Sequence, residues 1–374
     1  MMEDLRIVRC GSDCTIFVKG ENETYLIVAV YVDDLLMMGS EKSIGEYKQK
    51  ICEHLEVKFN DKLTSFLGSH LSRDITGFSI SQTKKIKDLL RSMGMENCTP
   101  VRSPMVPHSY RGKGSKKEDK QNESHTPMGY RNVVGTLNHL ANFTRPDLAY
   151  SVSQLSKALE KPTPTHWIAC KRVLRYLRQT MEFGQKIGKT LTERKENETS
   201  EKTNDEKKEK FVVEAYADAS WGDPAEKYRS VSGVVKVNGQ VVSWKSKVQT
   251  CIAMSTAEAE YDALTQAVKE VRSVLFKLKE LKIVCELPVK VYSDNTAAIK
   301  LSEKTGLRSR TKHVGMRLEY VREAVNSGDI EIVHIPTDRQ PADVLTKALP
   351  GDLHQQHLHT LACELFGEEE ACES

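Results

Sequence analysis

A mixed α/β fold is predicted for the second half of the chain, on two observations. Three β-like runs, Phe211 to Asp218, Ser230 to Val237 and Gln240 to Lys247, follow closely enough to form hairpins. After them, helix-like and strand-like segments alternate, which implies one sheet with flanking helices rather than a bundle or sandwich. A third observation sets this half apart: from Thr192 to Lys210 the chain carries only Lys, Arg, Glu, Asp, Asn, Ser and Thr. Such a run buries too little surface to offset its ordering entropy and reads as a flexible linker.

Beyond the three runs, a long helix is predicted from Ser255 to about Lys282, opened by the capping-box pair Ser255 and Glu258. Its apolar positions Ala257, Tyr261, Leu264, Val268, Val271, Leu275 and Leu278 fall on one stripe. Next come strand Val289 to Ser293, helices Asn295 to Leu301 and Gly315 to Val325, strand Ile330 to Ile335, and helix Ala342 to Ala348.

Before the linker the pattern is strand-rich, then helical. Thr15 to Val18, a turn at Gly20 to Glu23, and Tyr25 to Tyr31 read as a hairpin. Ser43 and Glu46 form a capping-box pattern ahead of the stripe Ile44, Tyr47, Ile51 and Leu55. Ile86, Leu89, Leu90 and Met93 predict a short helix stopped by Gly94. Pro146 and Pro164 suit the first turns of two further helices. The second of these buries Trp167, Cys170, Leu174 and Leu177 and carries Lys171, Arg175 and Arg178 on an adjacent stripe.

The bulk composition excludes several classes. With 374 residues, two or three domains have room for their own cores, and a net charge of +3 leaves any nucleic-acid role to local basic patches. Nine cysteines without zinc-site spacing argue for reduced thiols. The most apolar stretch, Tyr25 to Met38, is interrupted by Asp33 and Asp34 and is not read as a membrane span. Glu3, Asp4, Arg6 and Arg9 do not resemble a signal peptide, so a cytosolic or nuclear location is expected.

Four acids stand at special places in this layout. Asp218 and Asp294 end strands, Glu260 lies near the start of the long helix, and Asp343 begins the last helix. Singly, each has an ordinary reading as a turn residue, a cap or a solvated helix position. Jointly, they can converge on one sheet edge, where divalent cations relieve their mutual repulsion. Magnesium prefers such oxygen ligands, and two ions about 4 Å apart can activate a water and stabilise the leaving oxygen of a phosphodiester.

Residues 211–349 resemble the ribonuclease H domain of copia-type LTR retrotransposon polyproteins. The resemblance rests on Ala217-Asp-Ala-Ser-Trp-Gly, Ser255-Thr-Ala-Glu-Ala-Glu-Tyr-Asp-Ala-Leu, Tyr292-Ser-Asp-Asn-Thr-Ala-Ala-Ile, Arg310-Thr-Lys-His and Pro341-Ala-Asp-Val-Leu-Thr-Lys-Ala-Leu-Pro. It implies a mixed five-stranded ribonuclease H-like sheet with flanking helices. It also implies cleavage of RNA within RNA–DNA hybrids, with Asp218, Glu260, Asp294 and Asp343 holding two magnesium ions (manganese as an alternative). The family pattern assigns this role to Glu260 and leaves Glu258 to the cap. His313 and Arg317 read either as contacts to substrate phosphate or as a solvated basic helix start. Arg308, Arg310 and Lys312 read as a phosphate-tracking patch.

The first half resembles the palm of a copia-type reverse transcriptase, with Asp33 and Asp34 in Tyr31-Val-Asp-Asp-Leu-Leu as its metal-binding pair. Further matches are Phe66-Leu-Gly, Tyr130-Arg-Asn-Val-Val-Gly-Thr-Leu, Thr144-Arg-Pro-Asp-Leu and His166-Trp…Lys171-Arg-Val-Leu-Arg-Tyr-Leu. That family needs a third Asp on an earlier palm strand, and Glu3, Asp4, Asp13, Glu21 and Glu23 sit in no matching motif. The expectation is therefore a palm truncated at its N-terminal side, which polymerises only with the missing polyprotein part as partner. Lys171, Arg175 and Arg178 read either as a track for the hybrid backbone or as a solvated helix face.

The expected organisation is a partial palm and thumb over 1–107, a helical connection region over 127–187 and a charged linker over 188–210. The ribonuclease H domain then spans 211–350, with a tail over 351–374. The competing functional expectation is a transposon relic, or host-recruited derivative, that binds nucleic acid without catalysis.

Overall fold

The computed structural model describes residues 7–20, 24–60, 63–74, 77–107, 129–188, 210–220, 230–248, 255–303, 315–361 and 363–365. The charged stretch between 189 and 209 lies outside them, as do Arg308, Arg310, Lys312 and His313. The chain divides into two compact units.

The first unit comprises residues 1–63, 204–212 and 271–286. Strands β1 (Val8–Arg9), β2 (Ile16–Lys19), β3 (Leu26–Tyr31) and β4 (Asp34–Gly39) form an antiparallel sheet in that order. Leu26, Val28, Tyr47 and Ile51 make its core with the helix Glu41–Cys52. That helix starts about one turn earlier than the sequence pattern suggests. Ser40, not Ser43, is the N-cap, and its side chain accepts from the Ser43 amide. A serine three residues before the expected cap satisfies the same kind of orphan donor, so the pattern located the cap only to within a turn.

The second unit comprises residues 64–203, 213–270 and 287–374. Its central sheet runs β11 (Gln240–Val248), β10 (Ser230–Val237), β9 (Val213–Ser220), β12 (Val289–Ser293), β13 (Ile330–His334). The first three strands are antiparallel hairpin neighbours, while β12 lies parallel to both β9 and β13. This is the mixed five-stranded sheet expected from the sequence. The helix Thr256–Glu280 packs on one face, where Ala267 stands over Gly233. A Cβ added to Gly233 would stand 3.7 Å from Ala267, in ordinary van der Waals contact.

A second sheet in this unit was not anticipated. Strands β5 (Ser65–Phe66), β6 (Ser69–Asp74), β7 (Gly77–Ser81), β8 (Phe183–Gly188) and β14 (Cys363–Leu365) are ordered β14-β8-β7-β6-β5, every pair antiparallel. The β5–β6 turn has Leu67 and Gly68 both at positive φ, as a type I′ hairpin turn requires. Residues 351–360, expected as part of a tail, form a helix.

The helices Thr83–Ser92, Tyr130–Phe143, Ala149–Ser156 and Pro164–Gln179 share a core built on Ile86, Leu90, Leu137, Leu148 and Leu174. Beside that core lies a completely buried ion pair. Arg145 Nε and Nη2 donate to Asp147 at 2.9 and 2.7 Å, and Arg145 Nη1 donates to the Thr180 carbonyl at 2.8 Å. Tyr176 Oη adds a bond to Asp147 at 2.7 Å, and His354 from the Gly351–Thr360 helix meets Tyr176 Oη at 3.1 Å. Burial pushes the Asp147 carboxyl up, but Arg145 outweighs it and holds the group below its ordinary value. Among the described residues no helix is long and apolar enough to cross a membrane.

Removing one partner of a buried pair strands the other charge. Arg145→Ala is therefore expected to lower stability by roughly 3–5 kcal/mol. Glu96→Ala, which breaks the surface pair with Arg91 at 3.2 Å, is expected to cost less than about 1 kcal/mol. Urea unfolding of the two variants beside the parent chain checks the difference.

Candidate metal centre

Strand register brings the first two acids together. In the parallel pair β9–β12, Tyr216 lies opposite Tyr292, and their rings stack with centroids 4.9 Å apart. Two residues further along the chain in each case stand Asp218 and Asp294, so both carboxyls leave the sheet at the same level and on the same side. Glu260 arrives from the Thr256–Glu280 helix and reaches over the sheet end, where Glu260 Oε2 accepts from the Ala219 amide at 3.2 Å. Oxygens of Asp218, Glu260 and Asp294 all lie within 4.8 Å of one another.

Asp343 is delivered by a segment clamped to the sheet by three bonds. Ser232 Oγ donates to the Ala342 carbonyl at 3.0 Å, Ser246 Oγ to the Leu345 carbonyl at 2.6 Å, and Gln340 Nε2 to the Ala217 carbonyl at 3.0 Å. This clamp covers Asp218, which is 2% exposed. The helix that begins at Asp343 ends at Thr346, shorter than the Ala342 to Ala348 expected. Asp343 stands beside the three-carboxylate group, hydrogen-bonded to the Asp218 side chain and paired with Lys347 Nζ at 2.8 Å.

Three side chains that sequence reasoning did not single out orient the cluster. Thr346 Oγ1 donates to Asp218 Oδ2, Thr337 Oγ1 donates to Asp294 Oδ2 at 2.8 Å, and Lys347 holds Asp343. The signal for two of them was the Thr-Lys that follows Asp343 in Pro341-Ala-Asp-Val-Leu-Thr-Lys, with Lys347 at i+4 from the acid.

The electrostatics are those of crowded acids out of water. Burial, then the charges of Asp218 and Asp294, push the Glu260 carboxyl up to about 9. Burial and Asp343 raise Asp218, while Lys347 and the Thr346 bond work against them. Asp343 is raised by burial, with Lys347 opposing. Three carboxylates with oxygens within 4.8 Å of one another offer the hard oxygen donors of a divalent ion site, so the residues fit magnesium.

The other expected site residues fall elsewhere. Asp33 and Asp34 lie at the exposed β3–β4 turn, where Tyr31 pairs with Asp34 and Val32 adopts φ 54°. That conformation is strained for a β-branched residue. Among the described residues no third acid joins this pair in a metal-sized group. Arg175 Nε and Arg178 Nε donate to the Thr99 and Glu96 carbonyls at 2.7 and 2.6 Å, so both brace the segment after the Thr83–Ser92 helix. Lys171 lies over the Trp167 ring at 5.8 Å, and Trp167 is only partly buried. Arg317 pairs with the buried Asp262 at 3.3 Å.

Residues 1–107 match the family described as reverse transcriptase (RNA-dependent DNA polymerase). Over 344 residues the chain is 34% identical to a retrovirus-related Pol polyprotein from transposon RE2 of Arabidopsis thaliana, covering 90% of this chain and 22% of that protein. Among solved structures it aligns with LC11-RNase H1 in complex with RNA/DNA hybrid, at 17% identity and a TM-score of 0.28, covering 37% of this chain and 94% of that one. It also aligns with a foamy viral protease-reverse transcriptase in complex with RNA/DNA hybrid, at 14% identity and a TM-score of 0.40, covering 83% of this chain and 36% of that one. The residues that match the reverse-transcriptase family precede a mixed α/β sheet bearing an acidic cluster. Over about nine-tenths of its length the chain is similar to the copia-type retrotransposon Pol polyproteins of Arabidopsis thaliana, and it spans about a fifth of the length of those relatives.

The raised Glu260 carboxyl fixes a pH dependence. A folded-state value above the unfolded one, ordinarily about 4.3 for Glu, stabilises the native state fully below that pH. The contribution is lost as pH rises toward about 9. Without metal, the melting temperature should therefore fall as pH rises from the unfolded value toward about 9. Excess magnesium should cancel that fall, because ligand deprotonation and ion binding are coupled. Thermal melts in chelator and in magnesium at several pH values check this; parallel curves would contradict it.

Proposed function

We propose that the chain is a magnesium-dependent endoribonuclease that cuts the RNA strand of RNA–DNA hybrids. The observation that carries this reading is the convergence of Asp218, Glu260 and Asp294 within 4.8 Å at one end of a mixed sheet. Asp218, Glu260 and Asp294 would hold the cation, with Asp343 beside them. When bound, such ions supply an activated water and charge stabilisation at the leaving oxygen.

The protein's own part is orientation. Thr337 fixes one oxygen of Asp294, Thr346 one oxygen of Asp218 and the Ala219 amide one oxygen of Glu260. Each acid is thereby held in one rotamer, which keeps the ligand geometry within the tolerance that phosphoryl chemistry demands. The sheet end is hydrogen-bonded backbone, a rigid mount rather than a loop.

The substrate class follows from the family. Copying RNA into DNA leaves an RNA–DNA hybrid, so a nuclease joined to an RNA-dependent DNA polymerase segment meets hybrid as the neighbouring product. Asp33 and Asp34 would serve polymerisation only with a third acid from another part of the polyprotein.

A labelled RNA–DNA hybrid incubated with the full chain and magnesium tests this reading, with RNA–RNA and DNA–DNA duplexes alongside. The RNA strand of the hybrid should be cut, and Asp218→Asn should slow cleavage by on the order of a hundredfold or more. A folded chain that binds hybrid without cutting it would favour the non-catalytic relic instead.

A further inference from the structure

Within the cluster one basic side chain has no place in the ligand set. Lys347 Nζ lies 2.8 Å from Asp343 Oδ1, with the Asp343 side chain 4% exposed and that of Lys347 39% exposed. Asp343 opens one short helix and Lys347 caps its end, and the clamp of Ser232, Ser246 and Gln340 pins that helix to the sheet. The ammonium therefore cannot leave Asp343 by a shift of backbone; it leaves only by swinging its own chain outward. Oxygens of three carboxylates lie within 4.8 Å of one another, while the fourth, Asp343, meets both the Asp218 side chain and the Lys347 ammonium.

We propose that Lys347 is a built-in competitor for a divalent ion at Asp343, so that the site takes one cation on Asp218, Glu260 and Asp294 and admits a second only when Lys347 releases Asp343. This rests on the reading of the cluster as a metal centre. Two considerations beyond the contact itself support it. An ammonium and a divalent ion cannot share one carboxylate oxygen at contact distance without strong repulsion, which a partly dry site screens poorly. The bonds of Ser232, Ser246 and Gln340 hold the segment that carries Lys347 against the sheet, so its ammonium stays within reach of Asp343. The exposed outer part of Lys347 leaves it room to swing toward solvent, or toward an anionic phosphate arriving there. Substrate binding would then uncover Asp343 for the second ion.

Calorimetric titration of the full chain with manganese, at about pH 8 and without nucleic acid, tests the proposal. The parent chain should bind one ion, with a second step weaker by on the order of tenfold or more. Lys347→Met removes the charge and keeps the length, and should tighten the second step by about tenfold. Lys347→Arg keeps the charge and should behave as the parent. Asp343→Asn combined with Lys347→Met should abolish the gain, which a general loss of positive charge would not explain. Lys347→Gln serves in place of Met if circular dichroism shows that the Met variant is unfolded. Identical two-step isotherms for the parent chain and Lys347→Met would overturn the role of Lys347 and leave the metal centre standing. Folded chains that bind no manganese in any form would overturn the metal centre itself, and this proposal with it.

Discussion

The parallel register between β9 and β12 is the constraint on which the site depends. With Tyr216 opposite Tyr292, Asp218 and Asp294 reach the sheet end side by side; a slip of one residue would send one carboxyl to the other face. The β9–β10 hairpin sets Asp218 opposite Ser232, and Ser232 in turn holds the segment bearing Asp343. The helix Thr256–Glu280 delivers Glu260 to the Ala219 amide. Sheet geometry thus brings acids from four distant stretches of chain to one point.

The molecule treats its buried acids in two opposite ways. Asp147 has a guanidinium and a tyrosine hydroxyl as partners, and it remains charged in a dry core as a structural element. Asp218, Glu260 and Asp343 share their surroundings with one another, and their carboxyls are pushed up instead. A folded protein can keep such repulsion only if something relieves it. In the cluster part of that relief comes from the Lys347 ammonium on Asp343, and in the proposed reaction from divalent cations. The contrast separates acids that hold the fold from acids positioned to act.

Much of this was legible in the chain because it is written locally. The three hairpin strands, the long helix with its Ser255 cap on the Glu258 amide and the strand before Asp294 lie close to their expected bounds, since periodicity and capping are short-range signals. The sheet formed by β14, β8, β7, β6 and β5 was not legible, because two of its pairings join segments roughly a hundred or more residues apart through short, polar strands. Arg175 and Arg178 show the same limit. Their helical spacing is plain, but the carbonyls that each Nε meets belong to another segment and could not be read from the stripe. Lys347 was visible as an i+4 partner of Asp343, yet its meaning needed the other three acids around it.

Anomalous diffraction at the manganese edge, from crystals of the full chain grown with manganese, tests the central claim most directly. An anomalous peak is expected within coordination distance of carboxylate oxygens from Asp218, Glu260 and Asp294. Ordered side chains at all three positions with no peak between them, at saturating manganese, would contradict the claim.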